Sequence, residues 1–297
     1  MRPEKTDQPA PSGPCDLQYP SKVPVRCWQG QELFILPRTQ SLRSYGYQSF
    51  DGGRGTFGHP LYEELAGKTL IVTRVEPSAV HFDGSEKNYD ITLKEKVSGE
   101  TYRTHTVNTG SGPDDAEVSD VVLLRDLVEA RNRYLGKSYW IKVKELPKLS
   151  MDSYGGAGYA DYPKFSRVAI TDVLASTDDS HPVRIVLKNA QGEEGYFDIA
   201  ATPTNRSPIG AVGDADLTDW MAPSDPKLTH KWSAKVWDAI QHERVFAGMS
   251  EEMARMSWGA PSDINRTIVG GRHVHEQWVY DHSYLYFDGG ILTTIQN

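Results

Sequence analysis

Apolar and polar positions alternate with a period of two in several segments of this chain, which marks half-buried strands rather than helices. Tyr89 to Glu95 (YDITLKE) alternates cleanly, and Thr101 to Val107 does so again after a Gly99-Glu100 turn. Glu32 to Leu36 is a short apolar run closed by Pro37, and Lys68 to Val75 (KTLIVTRV) is rich in β-branched residues. A second set of strands is predicted over Lys137 to Val143, Arg167 to Leu174, Val183 to Lys188 and Gly195 to Ile199. Two stretches carry the helical period instead. Glu117 to Tyr134 places Val121, Leu124, Leu127 and Val128 on one stripe and ends at Gly136. Lys231 to Phe246 buries Trp232, Val236, Ala239, Ile240 and Phe246, with Trp237 beside them.

Linkers divide these elements into units. Residues 1–27 form a flexible leader rich in Pro, Ser, Gly and charge. Residues 28–110 form a small β unit, and 117–201 a second β unit behind its helix. Residues 202–227 are a Pro/Gly/Asp-rich linker, and 228–297 a closing unit. The fold class is α+β and mainly β. Leu65-Ala66-Gly67-Lys68-Thr69 ahead of one strand matches Leu135-Gly136-Lys137-Ser138 ahead of another, and Gly-Glu turns recur at Gly99-Glu100 and Gly192-Glu193. These matches make the β units candidates for a duplication, each a small open barrel or curled sheet whose edges can add a strand.

The closing unit is the most informative. Gly248-Met249-Ser250 is a turn followed by an N-cap, Glu251 and Glu252 suit the positive helix end, and Met253, Met256 and Ser257 share a face. Trp258-Gly259-Ala260-Pro261 stops that helix. Asp263 to Arg272 reads as a long polar loop, the strand Gln277-Trp278-Val279-Tyr280 follows, and Tyr286-Phe287-Asp288-Gly289-Gly290 reads as a hairpin with a tight primed turn. Two helices followed by three strands are predicted, ααβββ. This order resembles the SmpA/OmlA family, the BamE-like envelope lipoproteins, and the β-lactamase-inhibitor proteins of the same fold, over about residues 232–297. The resemblance implies a non-catalytic module that docks on another protein in the periplasm or at an outer membrane. His273, His275 and the polar loop depart from the family pattern.

Charge and cysteine content narrow the picture. The 297 residues carry 40 acids against 32 bases, a net −8, and no basic run that phosphate backbones would require, so nucleic acid is not an expected partner. No stretch approaches the ~20 apolar residues of a membrane-spanning helix. Cys15 and Cys27 lie in the leader region, where they suit one disulfide in an oxidising compartment or two free thiols. A lipoprotein freed of its signal peptide and lipid-bearing cysteine would begin with such a tether.

Candidate chemistry is sparse, and no cofactor is expected. His273 and His275 share a strand face and would make a metal site only if a ligand such as His282 came near; a wet polar face is the preferred reading. Ser176 to His181 (STDDSH) gathers hydroxyls, carboxylates and an imidazole in one turn. Gly52-Gly53-Arg54-Gly55 and Tyr154-Gly155-Gly156-Ala157-Gly158 lack the Lys-Ser/Thr of a phosphate loop and read as mobile loops. The chain carries 7 Trp and 15 Tyr, and Tyr280, Tyr284 and Tyr286, with Arg272, are the expected contact patch for a protein partner. An envelope binding or scaffold protein is therefore expected. The alternatives are a periplasmic inhibitor or immunity protein, whose acidic surface would steer onto a basic site, and a cell-wall or glycan hydrolase with a carboxylate pair in a cleft.

Overall fold

A computed structural model describes residue 15 and residues 18–78, 88–108, 116–149, 158–205, 211–269 and 273–297. Mixed α+β secondary structure, mainly antiparallel strands, forms around three hydrophobic clusters. The first holds β1 (Glu32–Ile35), β2 (Phe50–Asp51), β3 (Thr69–Pro77), β4 (Tyr89–Glu95), β5 (Thr101–His105), a ribbon of β6 (Val107–Asn108) with β7 (Ala116–Glu117), and β8 (Val121–Leu123). Its six-stranded curled sheet runs β2-β5-β4-β3-β1-β8, and α1 (Gln40–Arg43) and α2 (Tyr62–Leu65) lie between β1 and β3. Along β4 every second residue is buried, as the alternation requires.

The second unit opens with α3 (Leu124–Tyr134) and continues through β9 (Ser138–Ile141), β10 (Glu145–Pro147), β11 (Tyr159–Asp161), β12 (Arg167–Ala175), β13 (Val183–Lys188) and β14 (Glu194–Ile199). It closes with α4 (Asp214–Trp220) and β15 (Met221–Ala222), and its sheet runs β14-β13-β12-β9-β15. The third unit packs α5 (Pro226–Thr229), α6 (Ala234–Gln241) and α7 (Glu251–Trp258) with a meander of β16 (Asp263–Val269), β17 (His273–Tyr280), β18 (Ser283–Asp288) and β19 (Ile291–Gln296).

The two curled sheets follow one plan. Strand orders β8-β1-β3-β4-β5 and β15-β9-β12-β13-β14 correspond, and so do individual hydrogen bonds. Gly30 N donates to Val72 O at 2.8 Å, and Gly136 N to Ile170 O at 2.9 Å. Leu36 N donates to Asp120 O, and Lys142 N to Trp220 O, both at 2.8 Å. The pairing of β3 with β4 slips between Val72 and Arg74, and that of β12 with β13 between Ile170 and Asp172. The extra residue is a threonine in each, Thr73 or Thr171, whose hydroxyl bonds a carbonyl of the next strand. The Gly-Glu turns predicted as matching do occupy equivalent hairpins. The other predicted match is out of register: Gly136 corresponds to Gly30, while Gly67 corresponds to Phe165, since Gly67 N bonds Ile35 O and Phe165 N bonds Ile141 O. Left-handed residues lead into several strands of each unit, Gly30 and Gly67 in one and Gly136 and Phe165 in the other among them, so glycine alone could not set the register.

Three predicted elements are corrected. The helix expected from Glu117 begins at Leu124, because Val121, Val122 and Leu123 are all buried as an edge strand on β1, and Val128 faces solvent. The expected linker after residue 201 contains α4 and the edge strand β15. The polar loop after Asp263 is strand β16, paired with β17 along its whole length, so the closing sheet has four strands rather than three. Asp263, Asn265, Arg266, Thr267 and Ile268 are all exposed on this edge strand, which accounts for its polarity. The Asp288-Gly289-Gly290 hairpin is present as read, with both glycines at positive φ. Ser250 caps α7 by accepting from Met253 N, and Gly259 ends it.

Cys15 and Cys27 form a disulfide, with Cα atoms 5.7 Å apart. It ties the leader to the first core, of which Val23, Val25 and Cys27 are members. Such a bond persists in an oxidising compartment. No helix among the described residues is long and apolar enough to cross a membrane.

The units are interlocked. Val23 N donates to Thr204 Oγ1 and Arg125 Nη2 to Ser21 O, while the Asn205 amide bonds Val118 N, Val118 O and Val121 O. Between the second and third units, Phe165 joins the third core, and buried Lys164 donates to Ser257 O and pairs with Glu243 at 3.0 Å.

Candidate functional site

The connection between β1 and β3 presents apolar side chains on a folded backbone. Gly46 and Gly53 lie so close to Pro60 that a Cβ on either would stand 2.2 Å from its backbone, and one on Gly55 would stand 2.5 Å from His59 O. The glycines therefore allow backbone to pack on backbone, and the loop at Gly52–Gly55 is folded, with Gly52 N and Gly53 N both bonded to Gly58 O. Of the other predicted loop, only Gly158 lies within the described residues. Glu64 fastens the turn. Burial opposes its charge, but bonds from Arg54 Nε, Leu61 N and Arg54 N hold its carboxyl below the usual range.

Beneath the loop, Tyr47 and Tyr62 stack at 6.1 Å, with Arg38 over the first ring and Arg43 over the second, each at 4.9 Å. Tyr47 is fully buried, donates to Leu36 O at 2.7 Å, and has its phenol pushed far above the ordinary value by that burial. The same connection carries three exposed apolar side chains: Phe57, 92% exposed, Tyr45, 61%, and Leu61, 43%. Phe57 also holds a left-handed backbone, φ 59°, where glycine or asparagine is the usual choice. Sequence reasoning missed these three residues; the signal available was the cluster of glycines around them.

The closing sheet offers a second surface. Its helices cover the face carrying Trp278, Leu285, Phe287 and Leu292. On the uncovered face, Asn265 Nδ2 donates to Gln277 Oε1, Gln277 Nε2 to Tyr286 Oη, and Tyr286 Oη to Gln296 Oε1, a ladder across all four strands at 2.8–3.1 Å. Tyr284 stands beside it, 37% exposed, opposite Val279. Tyr280 is not part of this face. It shares the parity of Trp278, packs edge-on to Trp258 at 5.2 Å and donates to Gly259 O; burial pushes its phenol up to about 12. Thus Tyr284 and Tyr286 come together and Tyr280 points to the other side. Arg272 lies outside the described residues, as does the side chain of His273.

The histidines do not converge. His275 faces Asp288 at 3.6 Å near the start of β17, while His282 sits in the turn beyond its other end. Among the described residues no group of three His, Cys, Asp or Glu side chains could hold a metal ion.

The Ser176–His181 cluster is a turn held by its own side chains: Asp178 N bonds Ser176 Oγ, and Ser180 N bonds Asp178 Oδ1. It also bridges two units, because Asp179 Oδ1 accepts from Asp120 N at 2.8 Å. Asp120 is itself held by Ser49 Oγ and by both Nε and Nη2 of Arg38. Asp179 keeps contact with solvent yet is hemmed in by protein. That desolvation, with the neighbouring Asp120 charge, pushes its carboxyl up to about 6. Asp126 is raised by burial between Thr202 Oγ1 and Arg125 Nε. Both raised carboxyls are bonded to structural partners.

No protein-family profile, curated protein or solved structure matches this chain.

Proposed function

We propose that this is a non-catalytic docking protein of the bacterial envelope, in the periplasm or at the outer membrane. The folded loop bearing Phe57, Tyr45 and Leu61 is its principal contact, and the Tyr284/Tyr286 face is a second. Phe57 carries the reading. An aromatic that is almost wholly exposed on a left-handed backbone contributes nothing to the core and strains the chain, which is the profile of an anchor residue for a partner's pocket. The disulfide supports an oxidising location, and the bonded state of the raised carboxyls favours binding over hydrolysis. Two helices on one face of a meander sheet support the likeness of residues 232–297 to the SmpA/OmlA (BamE-like) lipoproteins, with β16 as an added edge.

A photo-crosslinking residue at position 45, beside intact Phe57, should trap one discrete partner in envelope preparations. Phe57→Gly should cut that yield about tenfold or more, the ordinary cost of losing an aromatic anchor. The same variant should leave stability unchanged or raise it by up to about 1 kcal/mol, because the strain is relieved and no core is lost. Adducts indifferent to Phe57, or none at positions 45 and 284, would overturn the reading.

A further inference from the structure

A groove of about 630 Å³ opens between the helices and the β17–β18 turn of the third unit, on the side away from the Tyr284/Tyr286 face. Its walls include Trp258 and Tyr280, both half-buried with rings near perpendicular at 86°, and its rim includes Glu243, Ser262, Asp281 and His282. Two observations set it apart from ordinary surface. Glu243 occupies the position after α6 where helices place glycine: its φ is 52°, and the next residue, Arg244, returns its N–H to Ala239 O. A glutamate there holds a left-handed backbone that glycine or asparagine usually takes. Its carboxylate is pinned by Lys164, a buried ammonium reaching in from the second unit, which also donates to Ser257 O at 2.7 Å. Second, neither Asp281 nor His282 has a side-chain partner among the described residues, although both sit in the two-residue turn that rims the groove.

Aromatic walls with a polar rim match a molecule that has flat apolar faces and polar edges. Pyranose rings have that form: C–H groups cover their faces and hydroxyls line their edges. The rim's ionised groups fix the charge of the ligand. Glu243 and Asp281 accept hydrogen bonds from hydroxyls and repel carboxylates, and Lys164 is turned inward onto Ser257 and Glu243. We infer that this groove binds a neutral oligosaccharide, with Trp258 and Tyr280 as stacking walls, Asp281 and His282 as hydrogen-bonding contacts, and Lys164 positioning the Glu243 carboxylate. The site is separate from the protein-docking loop of the first unit and stands or falls independently of it.

Isothermal titration calorimetry of the full chain with chitotetraose and cellotetraose, against tetragalacturonate as the anionic control, tests the inference. At least one neutral tetrasaccharide should bind saturably, about tenfold or more tighter than the anionic one. Asp281→Asn and His282→Ala change exposed turn residues and leave the core alone; each should weaken binding about fivefold or more. Lys164→Met should weaken it as well, and Val97→Ala, on an exposed turn of the first unit, should leave it unchanged. No saturable heat with either neutral sugar, equal or tighter binding of the anionic oligomer, or full affinity in the Asp281 and His282 variants overturns the assignment.

Discussion

Single residues show where this chain accepts a cost. Asp179 reaches across from one unit to bond the Asp120 backbone while its own charge sits beside the Asp120 carboxylate. Folding raises its pKa from the ordinary 3.8 to about 6. The native state therefore keeps a proton between those limits that the unfolded chain releases, and stability falls as pH rises through that window. Above about pH 6 the penalty is complete. Asp179→Asn retains an acceptor for Asp120 N and removes the charge. Its thermal midpoint at pH 7.5 should exceed that of the parent by about 2 °C, roughly 1 kcal/mol or less after discounting for solvent screening. At pH 4 the two midpoints should coincide. Identical pH profiles for parent and variant would show that the carboxyl is not held as the geometry implies. This bridge was not readable from Ser176 to His181 alone: the cluster showed a turn, but its partner lies in a segment whose place is set by the pairing of β8 with β1.

Elements reveal why some of the fold was legible and some was not. Strands β4, β5 and β14 could be read because alternation and turn glycines agree locally, β13 from its β-branched run, and α7 because Ser250 and Gly259 mark its ends. Strands β8 and β15 could not, since three or two residues carry no period, and their identity depends on pairing with β1 and β9 far away in sequence. The same local ambiguity misaligned the repeat, which the hydrogen bonds of Gly30 and Gly136 set right. That correction has a measurable consequence. Gly30 and Gly136 sit at φ +82° and +77°, and no atom lies within 4 Å of where a Cβ would stand, so an alanine at either site meets only the left-handed backbone penalty. Gly30→Ala and Gly136→Ala should each cost about 1–2 kcal/mol in chemical denaturation, and the two losses should agree within experimental error. Unequal losses would mean that the repeated geometry is not shared in solution.

At the scale of the whole molecule, the stretch around Phe165 belongs to two units at once. Phe165 N closes the second sheet onto Ile141 O, while its ring enters the third core 6.2 Å from Trp237, and Lys164 N reaches Gln241 O. The equivalent residue of the first unit is Gly67, which presents no side chain and engages no further core. A left-handed phenylalanine thus replaces glycine where the repeated scaffold must hold a neighbour, and burial of the ring offsets the backbone strain. Phe165→Ala keeps the strain and loses the burial, at a cost of about 3 kcal/mol or more. Phe165→Gly loses the same burial but relieves the strain, so it should be the milder of the two. Both should split the calorimetric unfolding of the full chain, with the third unit melting first and the β units following near the parent temperature. Because Lys164 is carried on the same turn, loosening that joint also frees the Glu243 carboxylate from its buried ammonium. A single transition that moves down as a whole would place the coupling elsewhere along the interface. Two transitions with the β units also weakened would mean that the ring supports the second core as much as the third.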